Sequence, residues 1–250
     1  APGTSDWFED QERLANLVEG WKQACNLARC VWGGGETPTL KGVVGPHAVV
    51  LSGSAVGIIK PKSRLISGNV KHDDAIVMLA SSGIHANGLT LARQIAERVG
   101  YDSLLPDGRM YGEALLDPTT IYVPIIEDCQ DAGVNIHYTV NITGHGWRKL
   151  MRLVEPFVYI IENIPEPQPV FRFIQENGPV DDEEAYGNFN MGAGFALYID
   201  ETDASSVIQV AKQHNIEAWV AGHITKVDDQ KQVIIQPKNL TYEGETLGVR

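Results

Sequence analysis

Residues 75–88 read AIVMLASSGIHANG, and this stretch predicts the central unit of the fold. Six consecutive apolar residues, 75–80, indicate a buried β-strand. The polar, glycine-containing segment 81–88 then leads into apolar positions at helical spacing, with Gly100 as the stop. A strand, a glycine-rich loop and a helix in this order direct backbone N–H groups and the helix dipole at an anion. The loop has neither the Walker lysine nor the dinucleotide-binding GxGxxG spacing. His85 is either a ligand contact or a loop histidine bonded to backbone.

Three further glycine-rich segments accompany this loop: GGGET at 33–37, TGHGW at 143–147 and NFNMGAG at 188–194. Each contains a hydroxyl, amide, imidazole or carboxylate beside glycines that allow close backbone approach. Taken together, the four segments predict a phosphate-rich ligand, and we expect them to converge on one cleft. Two of the segments have simpler alternatives. In these, Glu36 lies in a solvated turn, and Arg148 and Lys149 solvate a helix instead of facing phosphate.

The net charge and the cysteine content of the chain argue against several classes of function. The 250 residues carry a formal net charge of −12, which argues against general nucleic-acid or anionic-membrane binding. The three cysteines form no CxxC pair and fit a reducing compartment, so we expect a cytoplasmic protein. We find no apolar run of membrane-spanning length, signal peptide, GxSxG or HExxH motif.

Strand and helix patterns alternate, which predicts an α/β (α+β) fold. The polar segment 61–74 is the expected boundary between domains 1–68 and 69–250. Further predictions are a capping box at Asp6 before the first helix, a strand over 47–59, and Asp117 as the cap of a helix through Ile121 and Cys129. Residues 233–235 are expected to close the sheet.

The motifs together resemble those of the aminoimidazole ribonucleotide synthetase family, also called phosphoribosylformylglycinamidine cyclo-ligase. Its Gly-Gly-Glu-Thr motif matches 34–37, and its Ser-Gly-x-His-x-Asn-Gly motif matches 82–88. Its Leu-x-Pro-Thr-x-Ile-Tyr-Val, Ile-Thr-Gly-x-Gly and Phe-Asn-x-Gly-x-Gly motifs match 116–123, 142–146 and 189–194. The resemblance covers nearly the whole chain. Asn141 stands where the family usually has His, and His145 where it often has Gly.

The resemblance implies ATP- and Mg²⁺-dependent cyclisation of formylglycinamidine ribonucleotide to aminoimidazole ribonucleotide in purine biosynthesis, by a homodimer. Strand 47–59 would then pair with another chain or with the missing segment of the first domain. The implied catalytic residues are His85, Asn87 and His145, and Glu36 is the implied metal ligand. The implied cofactor-binding residues are Gly34, Gly35, Glu36, Thr37, Ser82, Gly83, Gly88, Thr143, Gly144 and Asn190.

The family's Asp-Gly-Val-Gly-Thr-Lys element has no counterpart here. We therefore expect a truncated ATP-binding half-domain followed by a complete C-terminal domain. Two alternatives remain open: a catalytically inactive nucleotide-binding or dimerisation module, and another ATP-dependent enzyme of the superfamily, of the selenophosphate synthetase or small-molecule kinase type.

Overall fold

A computed structural model describes residues 1–248 and divides the chain into two compact units. The first comprises Ala1–Leu65 with Ile121–Pro124. The second comprises Ile66–Thr120 and the chain from Ile125 onward. The predicted domain bounds, 1–68 and 69–250, stay a prediction.

The first unit contains helix α1 (Gln11–Leu27) and two short 3₁₀ segments, Ser5–Glu9 and Lys62–Arg64. The helix is capped by Asp10, whose carboxylate accepts from the N–H of Arg13 at 2.9 Å. The capping box predicted at Asp6 is therefore wrong, because the residues after Asp6 form the 3₁₀ turn instead.

The strand predicted over 47–59 is also wrong. The backbone forms only an isolated bridge there, between Pro2 and Val49. Most of its apolar side chains are exposed, and Val56 is 100% exposed. A β-strand needs a partner for its N–H and C=O groups. The described part of this unit offers no such ladder, and the Ser52-Gly53-Ser54 interruption weakens the pattern further.

The second unit is built on one seven-stranded mixed sheet in the order β2-β4-β1-β5-β3-β6-β7. The strands are β1 (Ala75–Ala80), β2 (Ile136–Asn141), β3 (Val158–Ile161), β4 (Ala193–Ile199), β5 (Ala218–Thr225), β6 (Gln232–Ile235) and β7 (Leu240–Glu243). Strand β1 is confirmed as a buried strand. Residues 233–235 do not close the sheet, since β7 pairs with β6 beyond them.

Helices cover both faces of this sheet. They are α2 (Leu89–Val99), α3 (Tyr111–Ala114), α4 (Val123–Asp131), α5 (Pro169–Asn177), α6 (Asp182–Asn188) and α7 (Ala204–Gln213). Ile76 and Met78 of β1 join the main core with Ile95 of α2, whereas α7 packs against β1 and β5. Burial on both faces explains the unbroken apolar run of β1.

The helix predicted to be capped by Asp117 begins later, at Val123. Asp117 instead forms a two-pronged ion pair with Arg109, at 2.7 and 2.9 Å. No helix in the described part of the chain has the length and apolar character needed to cross a bilayer.

Candidate functional site

The topology of three neighbouring strands brings three of the four glycine-rich segments to one edge of the sheet. Strand β4 lies between β1 and β2 and is antiparallel to both. Its first residue, Ala193, pairs with the last residue of β1, Ala80, while Asn141 at the end of β2 pairs with Phe195. The segments that follow β1 and β2 and the segment that precedes β4 are therefore neighbours.

Asn190 links these segments through its buried side chain, which is 3% exposed. Its Oδ1 accepts from the Ser81 hydroxyl at 2.8 Å and from the Gly192 N–H at 3.0 Å. Its Nδ2 donates to the Gly83 carbonyl at 2.8 Å. The backbone carbonyl of Asn190 also accepts from the Trp147 indole at 2.7 Å. Asn190 is thus bonded within the protein and positions the loops around it.

Glycine is required at the contacts between these loops. A Cβ on Gly88, whose φ is +75°, would lie 2.0 Å from the Phe189 ring. A Cβ on Gly146 would lie 2.2 Å from the Tyr186 carbonyl oxygen. A Cβ on Gly144 would lie 3.0 Å from Asn87 Oδ1. At Gly88 and Gly146 the loops therefore pack at distances that a side chain does not allow, whereas at Gly144 the Asn87 side chain would have to shift.

His85 is 5% exposed and is bonded to backbone, as in the second of the two alternatives that its motif left open. Its Nε2 accepts from the Ser82 N–H at 3.1 Å and faces the Thr120 N–H at 3.5 Å. Burial lowers the pKa of His85 to about 4, so the ring is neutral at physiological pH. In this structure His85 holds its own loop closed, and its catalytic role stays a prediction.

A group of positive side chains lies beside the 143–146 loop. His145 is exposed, and its pKa is lowered by desolvation and then by Arg148, Lys149 and Arg152. Lys149 donates to the Thr143 hydroxyl, and desolvation followed by Arg152 lowers its pKa. The positive potential that disfavours further protonation here favours an anion.

Gly34, Gly35, Glu36 and Thr37 lie in the first unit and are all exposed. The carbonyl of Gly34 accepts from the Trp32 indole at 3.0 Å. A Cβ on Gly34 or Gly35 would meet nothing within 4 Å, so this segment forms no cradle of its own. Within residues 1–248, Glu36 belongs to no group of three metal-ligating side chains. Its assignment as a metal ligand stays a prediction.

Gln168 was not identified from the sequence, and Arg148 was identified only as a positive residue that faces phosphate or solvates a helix. Gln168 donates to the Ser81 carbonyl at 2.6 Å from a loop that no glycine motif marks. Arg148 donates to the Gly187 carbonyl and to the Thr246 carbonyl, so it anchors the chain around α6. Neither contact has a local sequence signal, because the partners lie 87, 39 and 98 residues away.

Residues 71–235 match the family model of the AIR synthase related protein, C-terminal domain, which is 165 of the 250 residues. A phosphoribosylformylglycinamidine cyclo-ligase of Methanocaldococcus jannaschii is 43% identical over 214 residues, covering 83% of this chain and 59% of that protein. The cyclo-ligase of Carboxydothermus hydrogenoformans is 37% identical over 234 residues, covering 90% of this chain and 66% of that protein. The chain thus spans about 60% of the length of the curated relatives it matches.

Solved structures resemble the chain more distantly. The hydrogenase maturation protein HypE matches with a TM-score of 0.49 at 16% identity, covering 74% of this chain and 56% of that chain. T. maritima PurL complexed with FGAR matches with a TM-score of 0.45 at 12% identity, covering 74% of this chain and 30% of that chain. Scores this low support no argument.

Proposed function

The chain belongs to the AIR synthase related family through its C-terminal domain, and on that basis we propose that it takes part in ATP-dependent cyclisation of formylglycinamidine ribonucleotide to aminoimidazole ribonucleotide. The observation that carries the proposal is the 43% identity to an archaeal cyclo-ligase. The glycine-rich edge of the second unit supports it, since ring closure needs a site that positions phosphorylated ligands.

The residues present fit phosphorylated ligands in the second unit. Three cations, Arg148, Lys149 and Arg152, stand with the exposed His145 beside the 143–146 loop, where their positive charge favours an anion. In the first unit the Glu36 carboxylate has the oxygen donors that Mg²⁺ prefers. When bound, ATP supplies the phosphoryl group that activates the formamide oxygen of the substrate.

The chain's own residues orient the ligand and stabilise charge in this proposal. The Thr143 hydroxyl, fixed by Lys149, and the Asn87 amide line the contact between the two loops. Preorganised donors of this kind stabilise developing negative charge without reorganisation. His85 keeps the 82–88 loop in place through the Ser82 N–H. We further propose a cytoplasmic homodimer, a location consistent with three cysteines that form no disulfide.

The test measures ADP release by the purified protein with ATP and Mg²⁺, with and without formylglycinamidine ribonucleotide. We expect substrate-dependent ADP release and about tenfold weaker substrate binding in Lys149→Gln. Lys212→Gln in α7 removes the same charge away from the 143–146 loop and should bind as the unchanged protein does. The proposal is refuted if the unchanged protein does not bind the substrate and does not release ADP.

One alternative is favoured by a specific observation. The glycine-rich segments that meet all lie in the second unit, whereas Gly34 and Gly35 of the first unit are exposed with open space around them. A module that binds the ribonucleotide without turnover is therefore the second candidate. Saturable substrate binding in calorimetry without ADP release would select it over the enzyme.

A further inference from the structure

A second group of polar side chains lies at the opposite edge of the same three strands. Asp74 immediately precedes β1, His137 is the second residue of β2, and Asp200 immediately follows β4. Within residues 1–248 this is the only group of three His, Cys, Asp or Glu side chains whose ligand atoms all lie within 4.8 Å of one another. None of these residues belongs to the glycine-rich edge.

His137 reaches this position through an irregularity in strand pairing. Ile136 pairs with Ile199 and Tyr138 pairs with Tyr198, so His137 is an extra residue on β2. Such bulges redirect a side chain and are frequent beside functional sites. The side chains of His137 and Asp74 are both only 2% exposed. Burying a polar pair this deeply costs free energy unless both side chains have hydrogen-bond or metal partners.

The inner partner of the imidazole is Asp74. His137 Nδ1 lies 2.8 Å from Asp74 Oδ2, which also accepts from the Lys71 N–H at 2.8 Å. A carboxylate on one ring nitrogen fixes the orientation of histidines that bind metal through the other nitrogen. Here the other nitrogen, Nε2, lies 3.5 Å from Asp200 Oδ2 and 3.1 Å from the amide of Asn135.

We propose that His137 Nε2, Asp200 and the Asn135 amide oxygen form a binding site for a divalent transition-metal ion, with Zn²⁺ as the reference ion. Zinc bonds of about 2.0–2.2 Å to nitrogen and oxygen place tetrahedral ligands about 3.4 Å from one another. The 3.5 Å separation of Nε2 and Asp200 Oδ2 matches that spacing. In the structure Asn135 Nδ2 lies 3.1 Å from Nε2. Turning the amide over places its oxygen there instead, and metal binding requires this orientation.

The charge balance favours a cation. A third carboxylate lies near those of Asp74 and Asp200, since Asp203 Oδ2 accepts from the Asn135 N–H at 3.1 Å. The nearby lysine, Lys71, holds its Nζ 3.7 Å from Asp200 Oδ1, and both side chains are about half exposed. A metal ion displaces this loose contact and ties together the ends of β1, β2 and β4. The competing arrangement is a hydrogen bond from the Asn135 amide to Nε2 with no ion bound.

The experiment is calorimetric titration of the untagged protein with Zn²⁺ alone. We expect one ion per chain, and at least about tenfold weaker binding in Asp200→Asn. Asp200 is 48% exposed, so this substitution leaves the buried Asp74–His137 pair intact. A thermal melt with and without Zn²⁺ should show a raised Tm in the unchanged protein and a smaller rise in Asp200→Asn.

The matched control is Asp128→Asn. Asp128 forms another close histidine–carboxylate pair, 2.7 Å from His214 Nε2. This control should bind Zn²⁺ as the unchanged protein does. The proposal is overturned if the unchanged protein binds no stoichiometric Zn²⁺, or if Asp200→Asn binds as tightly as Asp128→Asn. Binding lost only in Asp128→Asn would place the ion at the other pair and would equally overturn it.

Discussion

Replacement of Asn190 by alanine tests whether this side chain holds the glycine-rich edge together. The substitution removes bonds to the Ser81 hydroxyl, the Gly192 N–H and the Gly83 carbonyl. All three partners lie in a buried region, and each one left unsatisfied costs about 1–3 kcal/mol. We therefore expect Asn190→Ala to lower the free energy of unfolding of the second unit by about 3–5 kcal/mol.

Hydrogen exchange is the assay of choice, because a two-unit chain need not unfold in one step. The Gly192 amide, which donates to Asn190, should lose its protection first. Denaturant unfolding followed by circular dichroism gives the magnitude. Asn188→Ala is the control, since Asn188 is exposed and its Oδ1 accepts a 3.2 Å bond from Arg148 at the surface. A cost below about 1 kcal/mol, or one equal to that of the control, would refute the reasoning.

Two further predictions concern the same edge. Gly88→Ala should lower Tm markedly, because its Cβ meets Phe189 at 2.0 Å, whereas Gly108→Ala, at a similar φ of +83° but in open space, should cost only about 1 kcal/mol. Differential scanning calorimetry of both variants checks this, and equal shifts would contradict it. His85 has a folded pKa of about 4 against 6.5 when unfolded, so stability should fall as pH drops from 6.5 to 4, by about 3 kcal/mol from this residue. Unfolding of His85→Gln across this range should lack that component, and an unchanged pH slope would show that His85 is not its source.

The sequence predicted those elements whose cause is local. Residues 75–80 are apolar because both faces of β1 are covered, and that pattern is visible without knowledge of any partner. Helix α2 follows its glycine loop and ends at Gly100, as its spacing predicts. The three glycine-rich segments of the second unit meet because β4 is antiparallel to its two neighbours.

The elements that the sequence did not predict depend on distant partners. Strand β3 is only four residues long and pairs in parallel with β6, with Val158 opposite Gln232. Nothing in the local pattern of β3 specifies that partner. The reverse holds for 47–59, where a strand-like composition has no described ladder. For the same reason the buried role of Asn190 is invisible in its motif, although the residue itself was identified.

Strand β4 separates the two polar edges of the second unit. Its seven residues rise about 3.4 Å each, so the Asn190 and Asp200 ends stand roughly 20 Å apart across an apolar layer. Groups at that separation that share no partner contribute additively to the free energy of unfolding. A loss at the glycine-rich edge is therefore not masked or amplified by the occupancy of the Asp–His edge. The middle residues of β4 therefore keep the two polar edges energetically independent of each other, although one strand connects them.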